Sequence, residues 1–495
     1  MRCLTLARRL RLRGATVVFL MRPLSGNLMA RVREDGFSVV EIGQLQGSAN
    51  LTEKDDAELC IDAIQRGSAL KERPGASNTW VIVDHYSLGQ AWEQRIRSVA
   101  PRILAIDDLA NRVHDADVLL DQNLVANYQD RYKGLVPADC VTLLGPAYAL
   151  IADRYSSLRK EVTRVGKTIR SILVYFGGAD KEMTLMTAEA LSRLSSDFAA
   201  RVILDQANLQ FDQVEVVCAA DRRLVLSGQL PDLAQAMADA DLFVGASGTT
   251  SWERLALGLP AAVVTLADNQ ELLSRELERR GFITWLGRSE TITLDSLVRG
   301  LRQSLAAPLD PAASGRMMSL VDALGAERVA DILMHVGGEG LELRLARSSD
   351  SDVILGWAND PVTRRNAFNP RPISVREHQA WYQRRLSSPD VVFLLAETRS
   401  CIPVGQVRFE RQPDQSWEVS YLVAPLFRGR QIARPMLDMA IRWLRSDPAR
   451  ELISGYVKPI NRASIKVFEG LGFQPSAQQD HSEAIRYELP LRGGS

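Results

Sequence analysis

A strand, a short basic turn and a helix follow one another between Val419 and Leu444, an order that suits the binding of a phosphate group. The turn reads Phe427-Arg-Gly-Arg-Gln-Ile-Ala433 and opens the helix. Backbone N–H groups at a helix start have no partner within the helix, and the helix dipole adds positive potential there. Arg428 and Arg430 would add charge at the same place. The segment therefore predicts a pyrophosphate site.

A second segment lies downstream and places an asparagine at a helix entry. Residues 457–473 predict a strand, then Asn461, then a helix that ends in glycines. Together the two segments resemble the coenzyme A loop and the C-terminal motif of the GNAT acetyltransferase family, over nearly all of residues 341–490. The resemblance implies that acetyl-CoA is held by Val423, Arg428, Gly429, Arg430, Gln431, Ile432, Ala433 and Asn461.

Two residues depart from the pattern of that family. Gln431 stands where the family usually has glycine, and a positive φ at this position would strain the backbone. Phe468 stands where many members carry a tyrosine that protonates the leaving thiolate. We therefore expect this acid to be missing or supplied elsewhere.

Attack of an amine on a thioester requires the neutral amine, so we expect a general base near the loop. Glu418, on the strand before the turn, is the candidate base, acting directly or through water, and a solvated carboxylate at the sheet edge is the alternative. Asn461 is the second candidate catalytic residue. His378 lies in segment 357–381, which resembles the acceptor side of GNAT enzymes that act on amino sugars and protein N-termini, but such a histidine more often packs a helix.

Two glycine-bearing strand ends in the first 330 residues suit a second phosphate. Gly177 and Gly178 follow one strand, and segment 244–253 follows another, each ahead of a predicted helix. Serine and threonine hydroxyls beside glycine amides form a phosphate cradle at a helix start. Glu253, about one turn into its helix, would reach a ribose diol. Either turn alone is a weak signal, because such turns also simply connect strands to helices.

The order of seven segments through this region resembles the UDP-sugar hydrolases of pseudaminic acid biosynthesis. These segments are 82–86, 106–117, 119–123, 144–150, 176–178, 245–253 and 267–270. The resemblance spans about residues 1–330 and implies the two-domain GT-B fold of MurG-like glycosyltransferases. It also implies that UDP is held by Ser247, Gly248, Thr249 and Glu253, and that Asn269 and Gln270 face the sugar or its diphosphate.

The beginning of the chain departs from the hydrolase pattern. That family opens with a strand and a Gly-x-Gly-His-x-x-Arg-Cys turn, whose histidine activates water, and only Arg2-Cys3 match it here. The apolar spacing of residues 4–12 predicts an amphipathic helix, so the first sheet is expected to lack its usual first strand. We expect a late start or a truncated gene, and an impaired hydrolase. His85 and His114, at strand ends, are the remaining candidates to activate water.

Apolar strands alternate with helical patterns in two series, which predicts two doubly wound parallel sheets. The predicted strands are 80–86, 102–108 and 117–123, then 171–178, 201–205, 223–228, 241–248 and 261–268. After a glycine-rich stretch, strands 391–397, 403–411 and 417–423 predict an antiparallel sheet. The predicted class is α/β. We expect a Rossmann-like domain truncated at its start (1–160), a UDP-binding Rossmann-like domain (161–333), a linker (334–340) and a GNAT domain (341–495).

Composition excludes several functional classes. Sixty basic and sixty acidic side chains cancel, so no net charge attracts nucleic acid or an anionic membrane. The five cysteines form no CxxC pattern, and no Cys/His cluster indicates a metal site. No apolar run approaches the ~20 residues of a membrane helix. We predict a cytoplasmic protein without metal, nucleic-acid partner or membrane span, and leave the oligomeric state open.

The two resemblances imply consecutive reactions on one sugar. We expect acetyl-CoA-dependent N-acetylation of a UDP-4-amino-4,6-dideoxy sugar, then hydrolytic release of UDP from UDP-2,4-diacetamido-2,4,6-trideoxy-β-L-altropyranose. A linker would keep the second site at raised effective concentration. Three alternatives stay open. The N-terminal part is a non-catalytic UDP-sugar-binding module, or it is a UDP-sugar glycosyltransferase, or the acetyltransferase acts on protein N-termini.

Overall fold

Parallel strands occupy the first two thirds of the chain, and a largely antiparallel sheet occupies the rest. The computed structural model describes all residues except 25, 44–51, 67–78, 165–167, 179, 181, 308–309, 335–336, 448, 477–483 and 492–495. The chain divides into unit 1, Met1–Val329, and unit 2, Ala330–Ser495. Unit 1 includes both predicted Rossmann-like regions. His335 and Val336 of the predicted linker lie outside the described residues.

The first half of unit 1 contains two separate parallel sheets. β1 (Val18–Met21) pairs with β2 (Ser38–Glu41). A four-stranded sheet follows in the order β3 (Trp80–Asp84), β4 (Arg102–Ile106), β5 (Val118–Asp121) and β6 (Val141–Leu144). The helices here are α1 (Arg2–Leu12), α2 (Met29–Glu34), α3 (Glu53–Arg66), α4 (Gln90–Ile96) and α5 (Asp153–Leu158). The predicted helix at the start and strands β3, β4 and β5 are confirmed.

The exposure of β1 and β3 differs from that of the central strands. β1 and β3 belong to different sheets, and all four residues of β1 and the first four of β3 are half-buried. β5 is fully buried, as are the last four residues of β4. β1 and β3 lie at the edges of their sheets, where side chains are less covered than on the central strands.

The second half of unit 1 is a six-stranded parallel sheet. Its order is β12-β11-β10-β7-β8-β9. The strands are β7 (Ser171–Tyr175), β8 (Ala199–Ile203), β9 (Leu224–Ser227), β10 (Leu242–Ala246), β11 (Ala261–Thr265) and β12 (Ile283–Arg288). The helices are α6 (Met183–Ser192), α7 (Phe211–Ala220), α8 (Ala234–Asp239), α9 (Thr250–Ala256), α10 (Glu271–Arg279), α11 (Leu294–Ala306) and α12 (Pro311–Leu320). Buried apolar clusters cover both faces, as expected for a doubly wound sheet.

Unit 2 is built on a seven-stranded sheet. Its order is β13-β14-β15-β16-β17-β19-β18. The strands are β13 (Leu341–Leu345), β14 (Val391–Thr398), β15 (Pro403–Arg411), β16 (Trp417–Val423), β17 (Leu452–Val457), β18 (Gln474–Pro475) and β19 (Ile485–Pro490). α13 (Gly325–Met334) crosses the unit boundary, and α14 (Ser351–Asn359), α15 (Pro361–Asn366), α16 (Val375–Leu386), α17 (Ala433–Arg445) and α18 (Arg462–Gly470) complete the unit. The predicted antiparallel strands β14, β15 and β16 are confirmed.

One pair of strands in unit 2 is parallel and short. β16 and β17 pair only at Trp417 with Ile453 and at Glu418 with Ser454. Beyond these residues the two strands separate. The backbone groups of Val423 that point toward β17 are therefore left for another partner. Among the helices of the described residues, none combines the length and apolar character needed to cross a bilayer.

His114 is locked in a buried ionic cluster of unit 1. Its side chain is 1% exposed. Its Nδ1 lies 2.7 Å from Glu93 and its Nε2 lies 3.6 Å from Asp107. Burial alone would lower the pKa of the imidazole, but hydrogen bonds to the two carboxylates outweigh it and raise the pKa to about 9. This histidine is therefore charged, enclosed and engaged with carboxylates near pH 7, which does not suit a base that activates water.

We predict that His114 makes stability fall as pH rises. Its pKa in the folded protein lies above its ordinary value of 6.5, so its stabilisation is complete below pH 6.5 and is lost as pH rises through about 9. The loss should be on the order of 1–3 kcal/mol in the free energy of unfolding. Urea titrations between pH 6 and 9.5 should show this slope in the wild type and not in His114→Gln. His85→Gln, which changes an exposed histidine, should keep the slope, and a slope that persists in His114→Gln would contradict this assignment.

Candidate functional site

The predicted strand, turn and helix are present around Arg428. β16 ends at Val423, a short 3-10 turn spans Pro425–Phe427, and α17 begins at Ala433. Among the described residues no side chain caps the start of α17, and its first turn carries no acid. The N–H groups of this first turn are therefore left for a ligand, and an anion would be stabilised there.

A groove runs along the start of α17. One cavity of about 440 Å³ is lined by Gly337, Gly338, Gln431, Ala433, Arg434, Pro435 and Val467. A second cavity of about 400 Å³ shares Arg434 and Pro435 with the first and reaches Gly470 at the end of α18. A Cβ atom at Gly338 would lie 2.4 Å from the Cβ of Pro435, so a larger residue would intrude at this wall. Two of the predicted loop residues, Gln431 and Ala433, thus line the larger cavity.

The two arginines of the turn are engaged with protein partners. Arg428 donates to Asp360 at 2.6 Å and to Thr363 Oγ1 at 2.7 Å. Burial would raise the pKa of Asp360, but hydrogen bonds from the Thr363 backbone and from Arg428 hold it below its usual range. Arg430 is 7% exposed, and its guanidinium donates to the carbonyl of Ile332 at 2.6 Å. The sequence predicted that both arginines add charge at a ligand site. In the structure both guanidinium groups bind protein partners instead.

Arg430 also orders the chain that precedes β13. Its carbonyl accepts from the N–H of Gly337 at 2.7 Å, while its guanidinium holds the carbonyl of Ile332. One residue therefore contacts both described sides of segment 335–336. The ring of Phe427 lies 5.3 Å from the guanidinium carbon. The sequence could not predict these contacts, because the partners lie about a hundred residues away along the chain.

Gln431, which stands where GNAT enzymes usually have glycine, has a positive φ. Its φ is 58°, and Gly429 two residues before has a φ of 73°. A side chain in this region costs energy that glycine avoids. Gln431 is exposed at the wall of the larger cavity. The turn therefore keeps its shape with a strained residue, and the backbone N–H of Gln431 is retained.

Asn461 caps α18 on the other side of the groove. Its Oδ1 accepts from the N–H of Ser464 at 3.2 Å. Val467, about one turn beyond Ser464 on α18, lines the larger cavity. Val423 ends β16 at the point where β16 and β17 have separated. Of the predicted acetyl-CoA residues, Gln431 and Ala433 line the larger cavity, and Ile432 between them is buried.

Glu418 lies on a charged face of the sheet and is not an isolated edge carboxylate. It stands opposite Glu410 of β15. Glu410 pairs with Arg408 at 2.6 Å and with Arg385 at 3.0 Å. The Arg408 guanidinium lies 4.8 Å from the centre of the Trp381 ring. The two arginines therefore place positive charge beside this pair of carboxylates.

His378 packs a helix. It is 2% exposed, and its Nε2 lies 2.9 Å from the carbonyl of Ser351. The ring stacks on Tyr382 with a centroid distance of 5.5 Å. Burial lowers the pKa of the imidazole. The neutral ring is therefore a buried packing element rather than an accessible base.

In unit 1, three predicted segments meet at one edge of the six-stranded sheet. Gly177 and Gly178 follow β7, segment 247–249 follows β10, and Asn269 and Gln270 follow β11. These strands are neighbours in the order β11-β10-β7. From β7 the chain first adds strands on one side, at β8 and β9, and then on the other side, starting with β10. Loops at the carboxyl ends of parallel strands at such a reversal form the usual ligand crevice of this architecture.

The strands at this reversal approach closely. A Cβ at Gly245 would lie 2.0 Å from the carbonyl oxygen of Tyr175 on the adjacent strand. Gly248 and Thr249 are more open than Ser247, which is 1% exposed. The exposed loop atoms that can reach a ligand thus come from Gly248 and Thr249, while Ser247 anchors the loop.

A chain of buried hydroxyl groups fixes Ser247. Its Oγ lies 2.8 Å from the Oγ of Ser274, which lies 3.1 Å from Thr265 Oγ1. Trp285 Nε1 donates to Thr265 Oγ1 at 3.0 Å. Gln270 is held by its own side chain, which accepts from the N–H of Leu266 at 3.1 Å. No local pattern in the sequence indicates this network, because its members come from four separate elements.

Glu253 lies behind the same loop, on α9, and interacts with a tyrosine that the sequence did not single out. Burial raises the pKa of Glu253 to about 7, although the hydrogen bond from Tyr155 opposes this shift. Tyr155 itself is 1% exposed. A carboxyl group with this pKa can accept hydrogen bonds from the hydroxyl groups of a ribose diol.

His85 is exposed at the end of β3, and its ring accepts a hydrogen bond from the N–H of Ser87.

Across the residues that the structure describes, no group of three or more His, Cys, Asp and Glu side chains is arranged to hold a metal ion.

We predict that Gln431→Gly raises stability and leaves acetyl-CoA binding intact. Glycine relieves the positive φ, and after the greater freedom of the unfolded chain is subtracted the gain should be roughly 0.5–1 kcal/mol. The backbone N–H is unchanged, so acetyl-CoA affinity should stay within about twofold. Thermal unfolding and isothermal calorimetry measure the two quantities. A large loss of affinity would show that the glutamine side chain, and not the turn backbone, binds the ligand.

Comparisons with known proteins agree with this geometry for unit 2. Residues 340–474 match the family described as acetyltransferase (GNAT) domain. An uncharacterized protein of Methanocaldococcus jannaschii is 21% identical over 99% of this chain and 96% of its own length. The UDP-2,4-diacetamido-2,4,6-trideoxy-β-L-altropyranose hydrolase of Campylobacter jejuni is 25% identical over 41% of this chain and 72% of its own length.

Among solved structures, the spermidine N-acetyltransferase of Vibrio cholerae in complex with CoA and spermine is similar at 18% identity. The match covers 31% of this chain and 96% of that one, with a TM-score of 0.28. The family match over 340–474 and the turn at the start of α17 together identify the function of the C-terminal part. This chain is a mixed α/β protein that carries a GNAT-type acetyltransferase domain.

Proposed function

We propose that this chain acetylates the amino group of a UDP-4-amino-4,6-dideoxy sugar and binds the UDP-linked product for hydrolytic release of UDP. The observation that carries the sugar-nucleotide part is the meeting of three loops, after β7, β10 and β11, at one edge of a parallel sheet. The similarity to the Campylobacter jejuni hydrolase supports the same reading. The released sugar would be 2,4-diacetamido-2,4,6-trideoxy-β-L-altropyranose.

Acetyl-CoA fits the groove of unit 2. Its pyrophosphate would bind the N–H groups of Gln431, Ile432 and Ala433, which carry the positive end of the α17 dipole. Its amide-bearing arm would extend past Val423, whose backbone faces the gap between β16 and β17. Bound there, acetyl-CoA supplies the acyl group. Asn461 would orient the arm from the opposite helix.

Glu418 would act as the base that keeps the acceptor amine neutral. It shares the face of β16 and β15 with Arg408 and Glu410, toward the α16 side chain Trp381. Arg408 and Arg385 pair with Glu410. Glu418 would take the proton of the amine.

UDP would be held at the sheet edge of unit 1. The loop amides of Gly248 and Thr249, anchored by Ser247, would bind phosphate, and Glu253 would bind the ribose diol. Gly177 and Gly178 leave open space beside them, and Asn269 and Gln270 would face the sugar or its diphosphate. The two parallel sheet regions of unit 1 support a GT-B arrangement.

A specific observation favours a second candidate, in which unit 1 binds the UDP-sugar without hydrolysing it. Of the three described histidines, His114 is locked between Glu93 and Asp107, and His378 is neutral and buried in unit 2. His85 is exposed but bonded to its own loop. Since none of these described histidines is an accessible base shown at the three loops, the release of UDP should be slow.

We predict that the chain, given acetyl-CoA and the UDP-4-amino sugar, forms a product that gains one acetyl group and loses UDP much more slowly than it is acetylated, whereas the binding-module alternative predicts that UDP is kept. Mass spectrometry of the sugar nucleotide measures both changes in one sample. Glu418→Gln should lower the acetylation rate by about 100-fold, because a general base contributes roughly that factor. Glu215→Gln, an exposed glutamate on α7, is the matched control and should change nothing.

Two results would overturn parts of this proposal. Acetylation of peptide N-termini in place of the sugar would mean that the acceptor class is wrong. Loss of UDP as fast as acetylation would mean that unit 1 activates water without these histidines, and would exclude the binding-module alternative.

A further inference from the structure

Acetyl transfer from a thioester breaks a carbon–sulfur bond, and the departing sulfur carries negative charge until it receives a proton. A positioned acid lowers the barrier for this step. The acid must lie near the gap between β16 and β17, where the amide-bearing arm would extend. A hydroxyl group beside this gap could act as that acid.

Phe468 occupies the centre of this region but carries no hydroxyl group. Its ring lies between Phe473, with a centroid distance of 4.6 Å, and Tyr487, at 5.7 Å. Its para carbon is directed at β17, since a Cβ built on Gly455 would lie 3.0 Å from it. A hydroxyl group on this carbon would meet the strand, so the ring serves packing.

Tyr421 brings a hydroxyl group to the same region from the opposite side. It lies on β16, three residues beyond the last pairing with β17 at Glu418. Its ring meets Phe468 edge to face, with a centroid distance of 6.1 Å. The phenolic hydroxyl donates to Ser464 Oγ at 3.0 Å. Ser464 in turn lies in the first turn of α18, where Asn461 caps its N–H.

We propose that Tyr421 is the catalytic acid that protonates the departing sulfur, and that Ser464 returns a proton to it. This inference rests on the proposed acetyl transfer, and it assigns to β16 a role that Phe468 on α18 cannot fill. Both hydroxyl hydrogens can rotate. When the phenol turns its hydrogen toward sulfur, the Ser464 hydroxyl can donate to the phenolic oxygen.

The atoms and electrons of the step balance. A nitrogen–carbon bond forms to the acetyl group, the carbon–sulfur bond breaks, and its electron pair goes to sulfur. Sulfur takes the proton of Tyr421, whose oxygen takes the proton of Ser464. Ser464 regains a proton from water, the amine releases one proton to Glu418, and Glu418 passes that proton to the hydroxide left in the solvent. The products are the amide and a neutral thiol.

The surroundings of Tyr421 keep its proton in place at neutral pH. Burial raises the pKa of the phenol above its ordinary value, and this outweighs the hydrogen bond to Ser464, which acts in the other direction. A phenol that is fully protonated but oriented can donate when negative charge develops beside it.

Tyr421→Phe tests the proposal, because it removes the hydroxyl group and keeps the ring against Phe468. We expect kcat for acetyl transfer to fall by about 100-fold, with the KM for acetyl-CoA within about twofold. Ser464→Ala should cost about tenfold or less, because water can return the proton. Tyr487→Phe is the matched control. It removes a hydroxyl group from the same aromatic cluster, one that bonds to Glu469 instead, and kcat should be unchanged.

A second readout needs no acceptor sugar. A hydroxyl group that donates to sulfur should lower the pKa of the thiol of bound CoA. Ultraviolet titration of CoA on the full-length chain, referenced to desulfo-CoA, measures this pKa. We expect a higher thiol pKa in Tyr421→Phe than in the wild type, and no change in Tyr487→Phe.

The two readouts separate this inference from the proposed function. If the wild type binds CoA and shows the Tyr421-dependent thiol pKa but does not acetylate the sugar, the acceptor is wrong and the acid assignment stands. If Tyr421→Phe and Ser464→Ala lose stability equally while kcat and thiol pKa stay unchanged, the hydroxyl pair is structural and the inference is overturned.

Discussion

The separation of β16 from β17 is the constraint on which the acetyltransferase site depends. Two parallel strands that pair at only two positions leave backbone donors and acceptors unsatisfied inside a sheet. Those groups require a partner, and an extended ligand with amide groups can satisfy them as a third strand would. Tyr421 lies beyond the last pairing of these two strands, and its hydroxyl group reaches Ser464 at the start of α18.

The charges around the groove are arranged to hold the protein rather than the ligand. Arg428 is committed to Asp360 and Thr363, and Arg430 to the carbonyl of Ile332. The pyrophosphate of a bound acetyl-CoA would therefore interact with the backbone N–H groups at the start of α17, which stay in place without ordering long side chains. Arg430 also links this turn to the chain before β13 through Gly337. The position of the loop is thus set by contacts outside the motif.

The sequence predicted the elements well where a local pattern decides them. Continuous apolar runs identified β3, β4, β5, β7, β10 and β11, and the glycine comparison anticipated the positive φ of Gln431. Strands such as β2 and β6 were not predicted, because their residues are partly exposed and show no continuous apolar run. Other features depend on residues far apart in sequence: the hydrogen bonds of Arg430, the burial of Ser247, and the hydrogen bond between Tyr421 and Ser464. No spacing rule could supply them.

The central claim is that one chain holds two independent ligand sites, for acetyl-CoA in unit 2 and for uridine diphosphate in unit 1. Isothermal calorimetry of acetyl-CoA into the full-length chain, with and without saturating UDP, tests it most directly. We predict one acetyl-CoA per chain under both conditions, and one UDP per chain in the reverse titration. Displacement of acetyl-CoA by UDP, or failure of either ligand to bind, would contradict the account.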